Sequence, residues 1–266
     1  MGSEMCIRDR PRPRGRVVTA PLTTEPRSAR GETGLLTVDG LCAGYGKAQV
    51  LDGVSFSIGH EAVCVVGRNG MGKSTLCNTI MGLVRPTSGT IRFDGTDIAG
   101  MAPEQVARRG IAYVPQGRRL FPSLTVDEHL RMLARKARGK RWTPEAVYEL
   151  FPRLAERRRN GGAELSGGEQ QMLSVARALL LNGRLIIMDE PSEGLAPTIV
   201  DTLIDAVHQL VSEGVAVLVV EQNLRAATEM ADRQLVMVSG RIETETTASA
   251  LKSDPDLQRR YLGVDA

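Results

Sequence analysis

The stretch "GRNGMGKS", Gly67 to Ser74, has the residue types and spacing to hold a phosphate chain. It fits G-x-x-x-x-G-K-[ST], follows the apolar run "AVCVV" directly and opens a helical pattern, the context that gives this motif its meaning. Glycines let the backbone curl until successive N–H groups point at one anion, and a helix start adds its dipole. The predicted contacts are Gly67, Arg68, Asn69, Gly70, Met71, Gly72, Lys73, Ser74 and Thr75. Lys73 is expected to reach the β- and γ-phosphates of a nucleotide, and the Ser74 hydroxyl to bind Mg²⁺. The competing explanation, a glycine-rich turn with a surface lysine, leaves the flanking strand and helix patterns unexplained.

"RLIIMDE" supplies carboxylates. Asp189 ends an apolar run, where it can hold Mg²⁺ through water, and Glu190 is the candidate general base for an attacking water. Two adjacent carboxylates are costly to ionise together without a cation, which favours a metal over a solvated turn before Pro191. A third apolar run breaks in the same way: "AVLVVEQN" passes from five apolar residues to Glu221, Gln222 and Asn223. That is how a buried parallel strand reads when its end opens into a site.

The elements that must position these residues follow from the patterning. "LLTVDGLCAGY" and "QVLDGVSFSI" alternate as antiparallel strands, while "AVCVVG" reads as a buried parallel one. A helix is predicted from Lys73 to about Leu83, a hairpin at "SGTIRFDG", and a strand at "IAYVPQ" that ends on Gln116. Residues 117–165 change character to long, charged, helical stretches, "VDEHLRMLARKARGK" and "PEAVYELFPRLAERR", and strand–helix alternation then returns. No internal repeat is visible. The expected fold class is α/β with a mainly parallel sheet, an N-terminal antiparallel β subdomain and a helical insert at about 117–182.

Bulk properties narrow the class further. At 266 residues, 42% hydrophobic and 24% charged, the chain has a globular composition and the length for one large α/β domain. No apolar run approaches the ~18 residues that span a bilayer. The net charge is +3, but residues 1–34 carry seven arginines against four acids, so the rest is balanced and argues against a nucleic-acid partner. Residues 1–34 lack periodicity and are expected to be disordered. Their opening "SEMCIRDR" resembles a translated sequencing-adapter fragment, which on one reading places the native start near Leu35. They contain no twin-arginine signal. Cys6, Cys42, Cys64 and Cys77 have no metal-type spacing and read as small hydrophobes in a reducing compartment. The basic cluster Arg131, Arg135, Lys136, Arg138, Lys140 and Arg141 reads as a solvated face.

A phosphate loop alone covers kinases, GTPases, helicases and transport ATPases. "LSGGEQQ", Leu165 to Gln171, separates them, because small residues ahead of a helix starting near Glu169 form a second anion platform. From Leu35 to the C-terminus, with motifs in order, the sequence resembles the ABC transporter ATPase family, a P-loop NTPase with a RecA-like core. The resemblance implies ATP and Mg²⁺ as cofactors and a stacking role for Tyr45 on adenine. It makes Gln116 a sensor of metal and attacking water beside a membrane subunit. It implies that Ser166, Gly167, Gly168 and Glu169 contact the nucleotide held by a partner ATPase subunit. "GRRLFPSLTVDEHL", "YELFPRLAERR", "MDEPSEGLAP" and "VEQN" are similar to one of the two ATPase subunits of branched-chain amino acid importers, and importers of urea and short amides share much of this pattern.

The implied setting is the cytoplasmic face of a bacterial-type membrane. The implied partners are a second ATPase subunit, two permease subunits and, indirectly, an extracytoplasmic solute-binding protein. Two positions depart from the family. The family's histidine after the strand, implied to contact the γ-phosphate and help position Glu190 and water, is here Gln222, a candidate catalytic residue whose amide can still donate to phosphate but does not titrate near neutrality, and the usual aspartate after "SEGL" is Ala196. Both point to an asymmetric heterodimer, with a homodimer kept open. Soluble ABC ATPases of DNA repair or the ribosome are disfavoured, since only about ninety residues without sustained heptads separate the two anion platforms. A nonhydrolytic regulatory subunit is disfavoured by the complete loop with Asp189 and Glu190.

Overall fold

The computed structural model describes residues 34–134 and 141–259. The expectation of disorder in 1–34 therefore lies outside the described residues except for Gly34, as does most of the basic cluster, at 135–140.

Alternation builds the first sheet. β1 (Leu36–Tyr45) buries Leu36, Val38, Leu41 and Ala43 and pairs antiparallel with β2 (Ala48–Ile58), from Leu36 opposite Ile58 to Tyr45 opposite Ala48. β3 (Ala62–Val66) is a continuous apolar run and belongs to the second sheet. It leads through the glycine-rich turn into α1 (Lys73–Ile80). The helix stops before the predicted Leu83, because Gly82 takes a φ of 74° and the Gly82 N–H turns back to Thr79. β4 (Pro86–Phe93) returns to pair with β1, then turns at Asp94–Gly95, both left-handed, into the short β5 (Thr96–Asp97). This antiparallel sheet has the order β2-β1-β4-β5.

After α2 (Pro103–Arg108) and β6 (Ile111–Val114), the chain turns helical with α3 (Val126–Ala134), α4 (Pro144–Leu150), α5 (Pro152–Glu156) and α6 (Gly167–Leu179). "PEAVYELFPRLAERR" reads as one helical stretch, but Pro152 divides it. Phe151 leaves the helical region (φ −122°, ψ 76°), as the residue before a proline tends to, and ends α4 as α5 begins. α6 starts at Gly167 instead of near Glu169, because Ser166 caps it.

The remaining elements are β7 (Leu185–Asp189), α7 (Pro197–Ser212), β8 (Ala216–Glu221), α8 (Leu224–Met230), the hairpin β9 (Arg233–Val238) and β10 (Arg241–Thr247), and short helices α9 (Ala248–Ser253) and α10 (Pro255–Leu257). The second sheet runs β10-β9-β3-β8-β7-β6, all parallel except β10 against β9. β7 and β8 are buried along their whole length, as parallel strands covered on both faces must be. Alternate residues serve two cores. Cys64, Val66, Ile186, Met188, Val217 and Val219 pack towards α6, α7 and α8, while Val63, Val65, Ile187, Leu218 and Val220 pack towards α1 and the antiparallel sheet. Burial pushes the thiols of Cys64 and Cys77 well up, consistent with inert core residues. With β3, β8, β7 and β6 adjacent and parallel, the residues that follow each of them emerge at one edge. In open parallel sheets that edge is where ligands bind.

Candidate active site

The turn after β3 is shaped by two close constraints. A Cβ on Gly67 would lie 2.5 Å from the Met237 carbonyl oxygen, so β9 leaves no room for a side chain. Gly72, at the start of α1, has a φ of 102°, which disfavours any residue with a side chain. No side chain caps α1 and no acid lies in its first turn, so its first N–H groups and its dipole face an anion without competition. Lys73, 3% exposed, donates to the carbonyls of Gly67 (2.8 Å) and Arg68 (3.1 Å) and so folds back into the loop. Arg68, Asn69 and Gly70 are exposed at its tip. The Met71 backbone is held by the β9–β10 turn, where the Gly240 N–H donates to its carbonyl. Thr75 is buried within the first turn of α1.

The ends of the neighbouring strands complete a single network. The Ser74 hydroxyl donates to Asp189 Oδ1 at 2.9 Å, and the Tyr113 hydroxyl donates towards Asp189 Oδ2 at 3.2 Å. Burial pushes the Asp189 carboxyl up, and these two donors work against that shift. Glu190 has a left-handed backbone (φ 49°) and its N–H donates to the Val220 carbonyl, so the turn after β7 is tied to β8. Its carboxylate meets Lys73 at 3.1 Å and accepts from Gln116 Nε2 at 3.1 Å. The adjacent carboxylates are thus answered separately, Glu190 by an ammonium and Asp189 by two hydroxyls. Gln116 donates also to Glu193 at 2.9 Å.

Lys73, Ser74, Gln116, Asp189 and Glu190 are therefore brought together, and six other predicted residues are not. Tyr45, 54% exposed at the end of β1, presents an open ring. Ser166 and Glu169 bond each other at the start of α6, and Glu169 pairs with Arg157 at 3.3 Å. A Cβ on Gly168 would lie 2.8 Å from Ile199 of α7, while Gly167 lies against the Arg118 guanidinium. Gln222 is exposed, and among the described residues its side chain makes no hydrogen bond. Sequence reasoning missed Tyr113, Glu193 and Glu221. Tyr113 could have been suspected from a polar ring inside "IAYV"; Glu221 is marked only as the polar end of an apolar run, and Glu193 carries no local signal.

The donors suit Mg²⁺. The Ser74 hydroxyl and Asp189 carboxylate are hard oxygens side by side, and among the described residues no three His, Cys, Asp or Glu side chains cluster as a metal cage. Magnesium keeps several waters and takes only one or two protein oxygens beside substrate phosphates, so this sparse set fits it.

Residues 51–193 match the family described as ABC transporter. Over 86% of its length the chain is 42% identical to the high-affinity branched-chain amino acid transport ATP-binding protein BraG of Pseudomonas aeruginosa, all of which is covered. It is 28% identical to BraF of the same organism, also named as such an ATP-binding protein, over 86% of this chain and 98% of that one. The solved structure of MJ1267, an ATP-binding cassette of an ABC transporter, superposes with a TM-score of 0.76 at 27% identity, covering 88% of this chain and 100% of that one.

Proposed function

The chain belongs to the ABC transporter family, and from that premise we propose that it is the ATP-binding and ATP-hydrolysing subunit of an importer for branched-chain amino acids. The observation that carries the ATPase reading is the network of Lys73, Ser74, Gln116, Asp189 and Glu190 at adjacent strand ends. The cargo rests on the similarity to BraG along that protein's full length, since the nucleotide site does not read the solute.

In this reading the loop N–H groups and the start of α1 hold the phosphates, and Lys73 turns from the Gly67 and Arg68 carbonyls to the β- and γ-phosphates. Ser74 and Asp189 would hold Mg²⁺, which neutralises charge between the phosphates when bound. Glu190 takes the proton of the attacking water, and Gln116, already bonded to Glu190, orients that water. Tyr45 stacks on the adenine, its ring exposed for that purpose. Ser166 to Glu169 serve the nucleotide of a second ATPase subunit, an arrangement favoured by the exposure of Ser166 and, among the described residues, by the lack of bonds from these four to the chain's own phosphate loop.

The heterodimer is favoured over the homodimer on two grounds. Ala196 stands at the start of α7 with no side chain to cap it, and Gln222 replaces a titratable ring with an amide at the same surface. BraF and BraG are two such ATP-binding proteins in one organism. Among the described residues no helix is long and apolar enough to cross a membrane. Residues 35–266, with a helical subdomain at about 117–182, are read as one ATPase domain lying peripherally on the cytoplasmic face against two permease subunits. The solute-binding protein acts through those subunits, and no nucleic acid takes part.

Affinity purification of the full chain from a detergent extract tests this reading. Polytopic membrane subunits and a second ATPase should be recovered, and vesicles holding that assembly should take up leucine when ATP is supplied. Recovery of ribosomes or DNA instead overturns the importer reading, and uptake of urea without leucine replaces the cargo.

A further inference from the structure

Glu221 ends β8, the strand between β3 and β7, and is 2% exposed. It pairs with Val66, the residue before the phosphate loop, while its neighbour Val220 pairs with Asp189. Its carboxylate is fully engaged. Oε1 accepts from the Ser192 N–H at 2.9 Å, and Oε2 accepts from the N–H groups of Gln222 (3.0 Å) and Asn223 (3.1 Å). Ser192 lies two residues beyond Glu190, and Asn223 caps α8 by accepting from the Ala226 N–H. One buried side chain thus ties together the turn after β7 and the loop after β8.

Resting on the ATPase reading above, we propose that Glu221 is a positioning residue whose carboxylate fixes the turn carrying Glu190 and the loop carrying Gln222 in one frame. A carboxylate suits these partners, because all three backbone partners are N–H donors, the Ser192 hydroxyl also bonds to it, and both oxygens are needed as acceptors. A glutamine in its place turns an NH₂ towards either the Ser192 N–H or the pair from Gln222 and Asn223, and that contact becomes repulsive. Burial pushes the Glu221 carboxyl up, and the converging donors offset that shift.

The test compares wild type, Glu221→Gln and Glu190→Gln as full chains in the complex recovered with the membrane subunits. Glu221→Gln should lower kcat for ATP by about tenfold to a hundredfold, the usual effect of misplacing a reacting group by an ångström, and leave the ATP KM within about twofold. Amide hydrogen exchange should quicken at Ser192, Gln222 and Asn223 and stay unchanged in α1, which a general loss of stability would not produce. If Glu221→Gln does not fold, Glu221→Asp keeps the charge, withdraws it by one methylene, and should show the same split between kcat and KM. Wild-type kcat in a folded variant, or a fall matched by equal loss of ATP affinity, overturns the assignment. A wild-type complex without ATP turnover overturns the underlying ATPase reading instead.

Discussion

The starts of α1 and α6 both follow glycine-containing turns, and both read as anion platforms, yet they are finished in opposite ways. α1 begins at a left-handed Gly72 with no side-chain cap and no acid in its first turn, beside the buried Lys73. α6 begins with a reciprocal box. Ser166 Oγ accepts from the Glu169 N–H and Glu169 Oε2 accepts from the Ser166 N–H. An uncapped start forgoes about 1 kcal/mol, which a bound phosphate can restore, whereas a boxed start is already stable. On the proposed function, α1 is therefore a binding site in its own right. α6 is a finished surface that carries its own carboxylate, paired with Arg157, and on the proposed function it offers a hydroxyl and its remaining N–H groups to a ligand held by another chain.

The largest effect that could break this contrast comes from Lys73→Ala. It removes the cation at the α1 start and leaves Glu190 buried with only Gln116 beside it. Turnover should fall by about a thousandfold, and ATP affinity of the isolated chain should fall with it. Turnover and isothermal binding of ATP check both. A chain that still binds ATP normally would mean that the α1 start is not the phosphate site.

Ser166→Ala should have a smaller and different effect. Losing the cap destabilises the chain by about 1 kcal/mol, and losing the hydroxyl lowers turnover of the assembled complex by about tenfold. ATP affinity of the isolated chain should not change, because α6 makes no bond to the chain's own phosphate loop. If that affinity falls as it does in Lys73→Ala, the two helix starts belong to one intramolecular site and the contrast between them collapses.

The same contrast shows what the sequence made legible. Every strand that delivers a chemical residue was readable, because β3, β6, β7 and β8 are apolar runs broken by polar residues, and parallel burial produces that pattern directly. The α6 start was readable as a motif but misplaced by two residues, because its cap reaches three residues ahead. The α4–α5 break was marked by Pro152, but helical periodicity on both sides masked it. The contacts of Glu193 and Glu221 were not legible. Their partners lie 77 and 29 residues away and meet them only because β6, β7 and β8 are adjacent, a topology that no local pattern encodes.

The smallest effect concerns the strut between the two regions. Residues 117–122 run from Gln116 along α6, where Arg118 donates to Gln170 near the helix start and Arg177, in its last turn, donates to the Arg119 carbonyl. His129 on α3, 0% exposed, holds this segment by accepting the Phe121 N–H on Nε2 at 3.0 Å, with Nδ1 against the Thr125 carbonyl at 2.8 Å. A carbonyl can only accept and an N–H can only donate, so the ring must be neutral with its proton on Nδ1. Burial accordingly lowers the His129 pKa, with the nearby Arg177 adding to the shift. The folded protein thus binds fewer protons here than the unfolded chain does. The contribution is complete above the unfolded value of about 6.5 and is lost as pH falls through the lower folded value. Asp189 and Glu221, raised by burial, act in the opposite sense, losing stability as pH rises through their folded values. Comparing urea midpoints of wild type and His129→Gln across pH 5 to 7.5 isolates the histidine. The variant should be less stable by about 1–3 kcal/mol at neutral pH, and the gap should narrow towards pH 5. A constant gap would mean that the ring acts only by packing. If the gap narrows while kcat changes no more than a few fold, the strut holds the two regions in place without taking part in either.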